Sequence, residues 1–183
     1  MILIVDDDPA MRDIMATLVH SFGQEYALAD NGRTAVRMLQ EKYYTIVLSD
    51  IKMPEMDGME LLAHIRENYP EIDVIVITGF GEYYDYTDVI NAGASDFIRK
   101  PFRGNELQAK IDRIIREQQI IGELRELTKT LERQLNEKEK DLETVHRNLQ
   151  DAHTRINQLQ NQMIVSKYGS AQHRFKPYGM NRK

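Results

Sequence analysis

The sequence contains no cysteine, no long apolar run and no segment resembling a secretion signal. Without cysteine, disulfide bonds and thiolate metal sites are both excluded. No apolar run approaches the ~18 residues that a membrane helix needs. The first residues do not form a charged segment followed by an apolar one, which argues against a secretory leader. We therefore predict a soluble, cytoplasmic protein.

Positive charge is scarce in the first part of the chain. Residues 1–105 contain nine Lys/Arg against 18 Asp/Glu, whereas the remainder contains 15 against 11. The two parts therefore carry net charges of about −9 and +4, and the acidic first part is a poor surface for nucleic acid. With 183 residues, of which 42% are hydrophobic, the chain can form one ordinary domain and an appendage.

Residues 1–104 alternate short apolar runs with longer amphipathic stretches. Continuous apolar strands suit a sheet that is covered on both faces, and strand-helix alternation implies parallel pairing with right-handed crossovers. We therefore predict an α/β fold with a five-stranded, doubly wound parallel sheet. The predicted strands are 2–5, 25–29, 44–50, 73–79 and 96–100, and the predicted helices lie near 9–22, 32–41, 58–68, 84–92 and from 103 onward.

From Ile121 to Met163, apolar residues recur at alternating spacings of three and four. This heptad pattern predicts a coiled coil over residues 119–165 that continues the fifth helix, with Thr128 and Lys138 as its polar interruptions. The segment would extend ~64 Å and could not be buried on itself, so we predict a homodimer through the coil. The a positions are Ile121, Thr128, Leu135, Leu142, Leu149, Ile156 and Met163, and the d positions are Leu124, Leu131, Lys138, Val145, Ala152 and Leu159.

Two flanking segments leave alternatives open. The apolar face changes phase between Ile115 and Ile121, so the fifth helix is predicted to run into the coil through a softer turn at Gly122, with a frayed linker as the alternative. Residues 166–183 are basic and are predicted to form a disordered tail. The tail could instead contact an anionic partner, or the chain could have been cut before an output domain.

Polar side chains follow four of the predicted strands, and the carboxyl ends of parallel strands share one edge of a sheet. Asp6, Asp7 and Asp8 follow the first strand, and like charges this close require a cation among them. Mg²⁺ accepts one or two carboxylates and leaves room for a phosphate oxygen. An aspartate could then act as nucleophile toward a phosphoryl donor, with Lys100 and Thr78 stabilising the transferred group.

Residues 1–118 resemble the receiver domain of bacterial two-component response regulators. The resemblance is carried by IVDDDP, LSDIKMPEMDG, ITGFG, NAGASDFIRKPF and the intervals between them. It implies a CheY-like, flavodoxin-like fold with strand order 2-1-3-4-5. It also implies a phosphorelay function, in which a cognate histidine kinase or phosphotransfer protein supplies the phosphoryl group. The downstream partner is not indicated by the sequence.

The same resemblance assigns roles to individual residues. Asp50 corresponds to the phosphoacceptor, and Lys100 and Thr78 to the residues that assist it. Thr78 and Phe97 correspond to the pair that moves on phosphorylation, and the Lys100-Pro101 bond is expected to be cis. The implied Mg²⁺ ligands are Asp6, Asp7, Asp50 and the backbone carbonyl of Lys52.

The sequence departs from the family at three tyrosines near the fourth helix, Tyr83, Tyr84 and Tyr86. They suggest a surface for a partner, although some could be core residues. A first alternative function is a Mg²⁺-dependent aspartyl-phosphate phosphatase of the haloacid dehalogenase type, which Asp6 and Asp8 fit but Ala10 does not. A second is a coiled-coil scaffold with a vestigial receiver. We favour a regulator that catalyses only its own phosphorylation and dephosphorylation.

Overall fold

The computed structural model describes residues 1–79 and 86–169, and residues 1–121 form one compact unit. Its centre is a five-stranded parallel sheet with the strand order β2-β1-β3-β4-β5. The predicted fold and strand order are thus confirmed. The strands are β1 (Ile2–Val5), β2 (Tyr26–Ala29), β3 (Ile46–Asp50), β4 (Asp73–Thr78) and β5 (Asp96–Arg99), and the helices are α1 (Pro9–Ser21), α2 (Gly32–Glu41), α3 (Gly58–Asn68), α4 (Tyr86–Asn91) and α5 (Gly104–Gly169).

Two apolar clusters cover the two faces of the sheet. In β1, Leu3 and Val5 belong to one cluster, whereas Ile2 and Ile4 belong to the other. Helices α2, α3 and α4 contribute to the first cluster, and α1 and α5 contribute to the second. Because successive strand side chains point to opposite faces, a strand buried on both sides must be apolar throughout, as β1 is.

The register of the sheet determines which residues meet at its carboxyl edge. Val5 pairs with Ser49, so the following residues, Asp6 and Asp50, come next to each other as β1 and β3 end. In the next two strands Asp50 pairs with Ile77, and Thr78 pairs with Arg99 immediately before Lys100. The four strand ends therefore deliver their polar residues to one place.

Helix α5 is attached to the sheet by polar contacts at the opposite, amino-terminal edge. Asp96 accepts hydrogen bonds from Lys110 Nζ at 2.7 Å and from Arg113 Nη2 at 2.8 Å. Further along the helix, Gln118 Nε2 donates to Asp73 Oδ2 at 2.6 Å. Lys110, Arg113 and Gln118 thus hold one face of α5 against the strands while Leu107 and Ile111 fill the core.

Helix α5 extends beyond residue 121, where the first compact unit ends. Helix α5 continues through Gly122, which confirms a fifth helix that runs on and not a frayed linker. The residues from Gly122 onward form a second unit, in which all side chains from Gly122 to Lys167 are exposed in the single chain. The predicted boundaries at 118 and 165 stay predictions. Most of the predicted tail, residues 170–183, lies outside the described residues.

Asparagine at position 96 is expected to lower the free energy of unfolding by about 2 kcal/mol at neutral pH, because the charged hydrogen bonds to Lys110 and Arg113 are lost. Burial alone would raise the pKa of Asp96, but these hydrogen bonds and the one from the Phe97 amide outweigh it, so the pKa is lowered. Because the pKa of Asp96 is lower in the folded state, its ionised form stabilises the fold at pH values above the pKa of the unfolded chain. This stabilisation is lost as the pH falls through the lower pKa of the folded state. The difference between wild type and Asp96→Asn should therefore shrink below about pH 4.

Glu117 provides the matched control for this measurement. It also pairs with Arg113, at 3.1 Å, but on the exposed surface of the helix. Glu117→Gln should change stability by less than about 0.5 kcal/mol, because exposed ion pairs contribute little. Urea unfolding at several pH values measures both variants. Equal losses for the two would show that Asp96 is not a special attachment point.

Candidate functional site

Two carboxylates are buried side by side at the carboxyl edge of the sheet. Asp6 is 1% exposed and Asp50 is 5% exposed. Charged side chains are rarely buried to this degree unless a partner compensates them. The partner here is Lys100, whose ammonium nitrogen lies 2.8 Å from Asp6 Oδ2 and also hydrogen bonds to Asp50 Oδ1. One cation is therefore shared by two buried anions.

The shared contacts set the charge of Lys100. Burial by itself would lower the pKa of the ammonium group, but the hydrogen bonds and charges of Asp50 and Asp6 outweigh burial and raise it. Lys100 is thus fully protonated at neutral pH. With both carboxylates ionised, the three side chains carry a net charge of −1, which leaves the site attractive to a further cation.

Backbone and helix contacts fix both carboxylates in place. Asp6 Oδ1 accepts a hydrogen bond from the Asp8 amide at 2.9 Å, and the Asp6 carbonyl accepts one from Arg12 Nη1 at 2.6 Å. Asp50 Oδ2 accepts a hydrogen bond from the Lys52 amide at 2.8 Å. Each aspartate is therefore oriented by groups other than Lys100, so its position does not depend on the lysine alone.

The other two acids of the DDD sequence have different surroundings. Asp7 is exposed, whereas Asp8 is the N-cap of α1 and accepts a hydrogen bond from the Ala10 amide at 2.9 Å. Over residues 1–79 and 86–169, no group of three or more His, Cys, Asp or Glu side chains is placed to hold a metal ion together. The ligand set Asp6, Asp7, Asp50 and Lys52 stays a prediction, of which Asp6 and Asp50 form the buried part.

Gly58 positions the end of β3, a role that the sequence analysis did not assign. Its amide donates to the Ile51 carbonyl at 2.8 Å. A Cβ atom at this position would lie 2.0 Å from the Asp50 carbonyl oxygen and 2.9 Å from Ile51 Cα. Only glycine therefore lets α3 begin this close to the strand that ends in Asp50. The signal in the sequence was the Asp57-Gly58 pair, in which the N-cap residue of α3 is followed directly by glycine.

The candidate switch residues lie on the strands beyond Asp50, with Thr78 on β4, one strand away, and Phe97 on β5, two strands away. Thr78 is buried at the end of β4, and its carbonyl accepts a hydrogen bond from the Lys100 amide at 2.7 Å. Phe97 is partly buried, with the Tyr86 ring against it edge-on at 6.1 Å and the Arg99 guanidinium 6.0 Å from its ring centre. Tyr86 itself is 57% exposed. Tyr83 and Tyr84 lie outside the described residues.

The last prediction for the carboxyl edge of the sheet concerns the peptide bond that follows β5. The Lys100-Pro101 peptide bond is cis, as the resemblance implied. Lys100 follows β5, its amide contacts Thr78 of β4, and its ammonium group contacts Asp50 of β3 and Asp6, which follows β1.

Comparison with known proteins gives the same family as the sequence motifs indicated. Residues 2–112 match the response regulator receiver domain family. The regulatory protein AtoC of Escherichia coli is 35% identical over 130 residues, which is 71% of this chain and 28% of AtoC. The receiver domain of NtrX from Brucella abortus superimposes with a TM-score of 0.61 at 31% identity, covering 63% of this chain and 98% of that domain.

The chain therefore belongs to the response regulator receiver domain family of two-component systems. Its match covers only part of the longer relatives, such as 24% of the transcriptional regulatory protein ZraR of Klebsiella oxytoca, which is 37% identical over 107 residues. A receiver domain of a signal transduction histidine kinase from Syntrophus aciditrophicus also shares the fold, with a TM-score of 0.59 and 31% identity. Within the described residues, no helix has the length and apolar character needed to cross a bilayer.

Proposed function

We propose that this chain is a phosphorylation-dependent response regulator that accepts a phosphoryl group on Asp50 from a histidine kinase or a phosphotransfer protein. The observation that carries this proposal is the buried pair Asp6 and Asp50 with a single shared ammonium group, Lys100. Burying two anions with one cation is costly, and such a cost is typical of sites that perform chemistry.

The proposed reaction moves one phosphoryl group. An Asp50 carboxylate oxygen attacks phosphorus, a P–O bond forms, and the P–N bond to the donor imidazole breaks while the imidazole takes up a proton. Lys100 is placed to hydrogen bond the transferred group because its nitrogen already contacts Asp50, and Thr78 lies at the end of the adjacent strand. Hydrolysis of the aspartyl phosphate by water would return the site to its starting state.

The donor set fits a hard divalent cation. Asp6 and Asp50 offer carboxylate oxygens that meet at one nitrogen, so a small ion could be bound by both, with Asp7 and the Lys52 carbonyl as the further predicted ligands. Mg²⁺ prefers such oxygen ligands and keeps positions for water and phosphate. When bound, Mg²⁺ neutralises negative charge on the phosphoryl group.

The output of the proposed switch involves two surfaces. Movement of Thr78 toward a phosphoryl group would be coupled to Phe97, against which the exposed Tyr86 ring packs. This change would alter the surface of α4 and β5 for a partner. The helix beyond Gly122 would pair with a second chain through its apolar heptad positions, so that a homodimer carries the signal. We assign the chain no separate substrate.

Incubation with acetyl phosphate and Mg²⁺ is expected to add the mass of one phosphoryl group to the intact chain. The adduct should be removed by hydroxylamine, because an acyl phosphate is labile to it. Removing the metal with EDTA should abolish uptake, since two buried carboxylates would then repel the incoming anion. Intact-mass spectrometry measures all three reactions.

Calcium at the same concentration is the control for the metal. It is also a hard cation but takes more ligands at longer distances than Mg²⁺. Uptake that is unaffected by EDTA, or an adduct that is stable to hydroxylamine, would contradict a Mg²⁺-assisted aspartyl phosphate. A chain with no adduct under any condition would leave a scaffold as the better description.

A further inference from the structure

The second unit exposes a continuous apolar face. The large apolar residues at the a and d positions, from Ile121 to Met163, are between 48% and 72% exposed in the single chain. A monomeric protein rarely leaves so long an apolar surface in water, so this face requires a partner. Its heptad spacing restricts the partner to another helix with the same repeat.

We infer that the partner is a second copy of this chain, aligned parallel and in register along residues 121–163. The inference rests on the proposed coiled-coil homodimer and adds its orientation, which determines which residues of the two copies meet. Heptad positions e and g flank the apolar a and d positions, and they distinguish a parallel from an antiparallel pair.

The first argument is the width of the apolar face, which changes along the helix. At the end near Gly122, the g positions are Ile120 and Leu127, which are 56% and 55% exposed. At the far end, the corresponding g positions are Arg155 and Gln162. A parallel pair brings the two wide ends together and buries Ile120 and Leu127 in both copies. An antiparallel pair would place them beside polar residues of the other copy.

The second argument is that a parallel pair creates no like-charge contact between its g and e positions. In a parallel pair, each g residue lies beside the e residue five positions later in the other copy. None of the five contacts that lie within residues 121–163 joins like charges, and one places the carboxylate of Asp141 beside the imidazole of His146. The contacts are Leu127 with Glu132, Gln134 with Glu139, Asp141 with His146, Asn148 with His153, and Arg155 with Gln160.

The third argument concerns Lys138, the charged residue in the apolar face. Within one chain, its ammonium lies 3.5 Å from Asp141 Oδ2. In a parallel pair, a d residue packs beside the neighbouring e residue of the other copy, which here is Glu139. Each Lys138 then has an acid in its own helix and one in the partner helix. In register, the two Lys138 residues face each other and these acids offset their repulsion, whereas a shift by one heptad would place one Lys138 beside Glu132 and the other beside His146, which is not an acid.

Single cysteine variants test the orientation, since the chain has no cysteine of its own. Leu131→Cys, Leu149→Cys and Ile156→Cys should each form a disulfide-linked dimer on mild oxidation, because identical positions face each other in a parallel pair. Arg133→Cys, at the outer f position, is the matched control and should stay unlinked. Non-reducing gels of the full chain measure linkage, and sedimentation should give two chains.

An antiparallel pair gives the opposite pattern. Position 131 would then face position 149 or 156, so each variant alone would stay unlinked while a mixture of two would crosslink. In a parallel pair, positions 131 and 149 are ~27 Å apart and cannot be bridged. Crosslinking only in mixtures, three chains in sedimentation, or a monomer with intact helical circular dichroism would each overturn the inference. Acetyl phosphate labelling of the same samples tests the phosphoacceptor separately.

Discussion

Asparagine at position 50 is expected to abolish phosphoryl uptake completely, with no adduct detectable by intact mass after treatment with acetyl phosphate and Mg²⁺. The amide oxygen is a far weaker nucleophile than the carboxylate, and no second acid takes its place. Asp6 is the nearest candidate, but the family resemblance assigns Asp6 to the metal ion and Asp50 alone to the phosphoryl group. The loss should therefore be total and not partial.

The variant should remain folded, which separates chemistry from stability. Asp50→Asn changes the net charge of the buried group of Asp6, Asp50 and Lys100 from −1 to 0. Removing one of two crowded anions relieves repulsion, so the thermal unfolding midpoint should be equal to or above that of wild type. A lower midpoint would show that Asp50 is needed for the structure itself.

Two further substitutions identify the nucleophile. Asp8→Asn makes the same chemical change two residues from Asp6, but Asp8 only caps α1 and asparagine caps helices equally well. It should therefore label like wild type. Asp6→Asn should label more slowly because a metal ligand is lost, yet its adduct should still form on Asp50. If Asp6→Asn abolishes labelling and Asp50→Asn does not, Asp6 is the nucleophile and a phosphatase-like site is favoured.

Alanine at position 58 is expected to destabilise the protein by about 3 kcal/mol or more, because added volume in a packed region forces backbone movement. The clash is with main-chain atoms of Asp50 and Ile51, which cannot rotate away as a side chain could. Relief requires either β3 or α3 to shift. Phosphoryl uptake should fall together with stability, because the atom nearest to the added Cβ is the carbonyl oxygen of Asp50 itself.

Gly122→Ala is the matched control for this prediction. A Cβ atom at Gly122 meets nothing within 4 Å, and the residue lies inside helix α5. Alanine there should leave labelling unchanged and stabilise the helix by up to about 1 kcal/mol. Urea unfolding compares the two variants. A tolerated Gly58→Ala with normal labelling would show that the start of α3 is free to move.

The fold was predictable because its determinants are local. Short local signals define the elements: the apolar runs ILIV and VIVI define strands, Pro9 after the N-cap Asp8 marks the start of α1, and the glycine after α4 marks its end. Where they are described, the observed strands and helices differ from the predicted ones by two residues or fewer. Strand 44–50 begins later, at Ile46, because Ile46 pairs with Ile2, the first residue of the neighbouring strand β1. Strand order came from the family resemblance, since several orders satisfy the same alternation.

The site was predictable only in outline. Asp6, Asp50, Thr78 and Lys100 share an edge because parallel strands end together, and that much follows from position in the sequence. Which oxygen Lys100 reaches, and that Asp7 is exposed, depend on the side-chain conformations and on how the loop turns. The attachment of Gln118 to Asp73 spans 45 residues, and no local pattern indicates it.

The turn from β1 into α1 has a consequence for protein engineering. Asp6 accepts the Asp8 amide, Asp8 accepts the Ala10 amide, and Arg12 returns to the Asp6 carbonyl. These three hydrogen bonds fix the spacing between Asp6 and the first turn of α1. Most surface loops tolerate insertions, but this one should not, so neither a tag nor a deletion of one residue can be accommodated here without losing the helix cap or the buried acid.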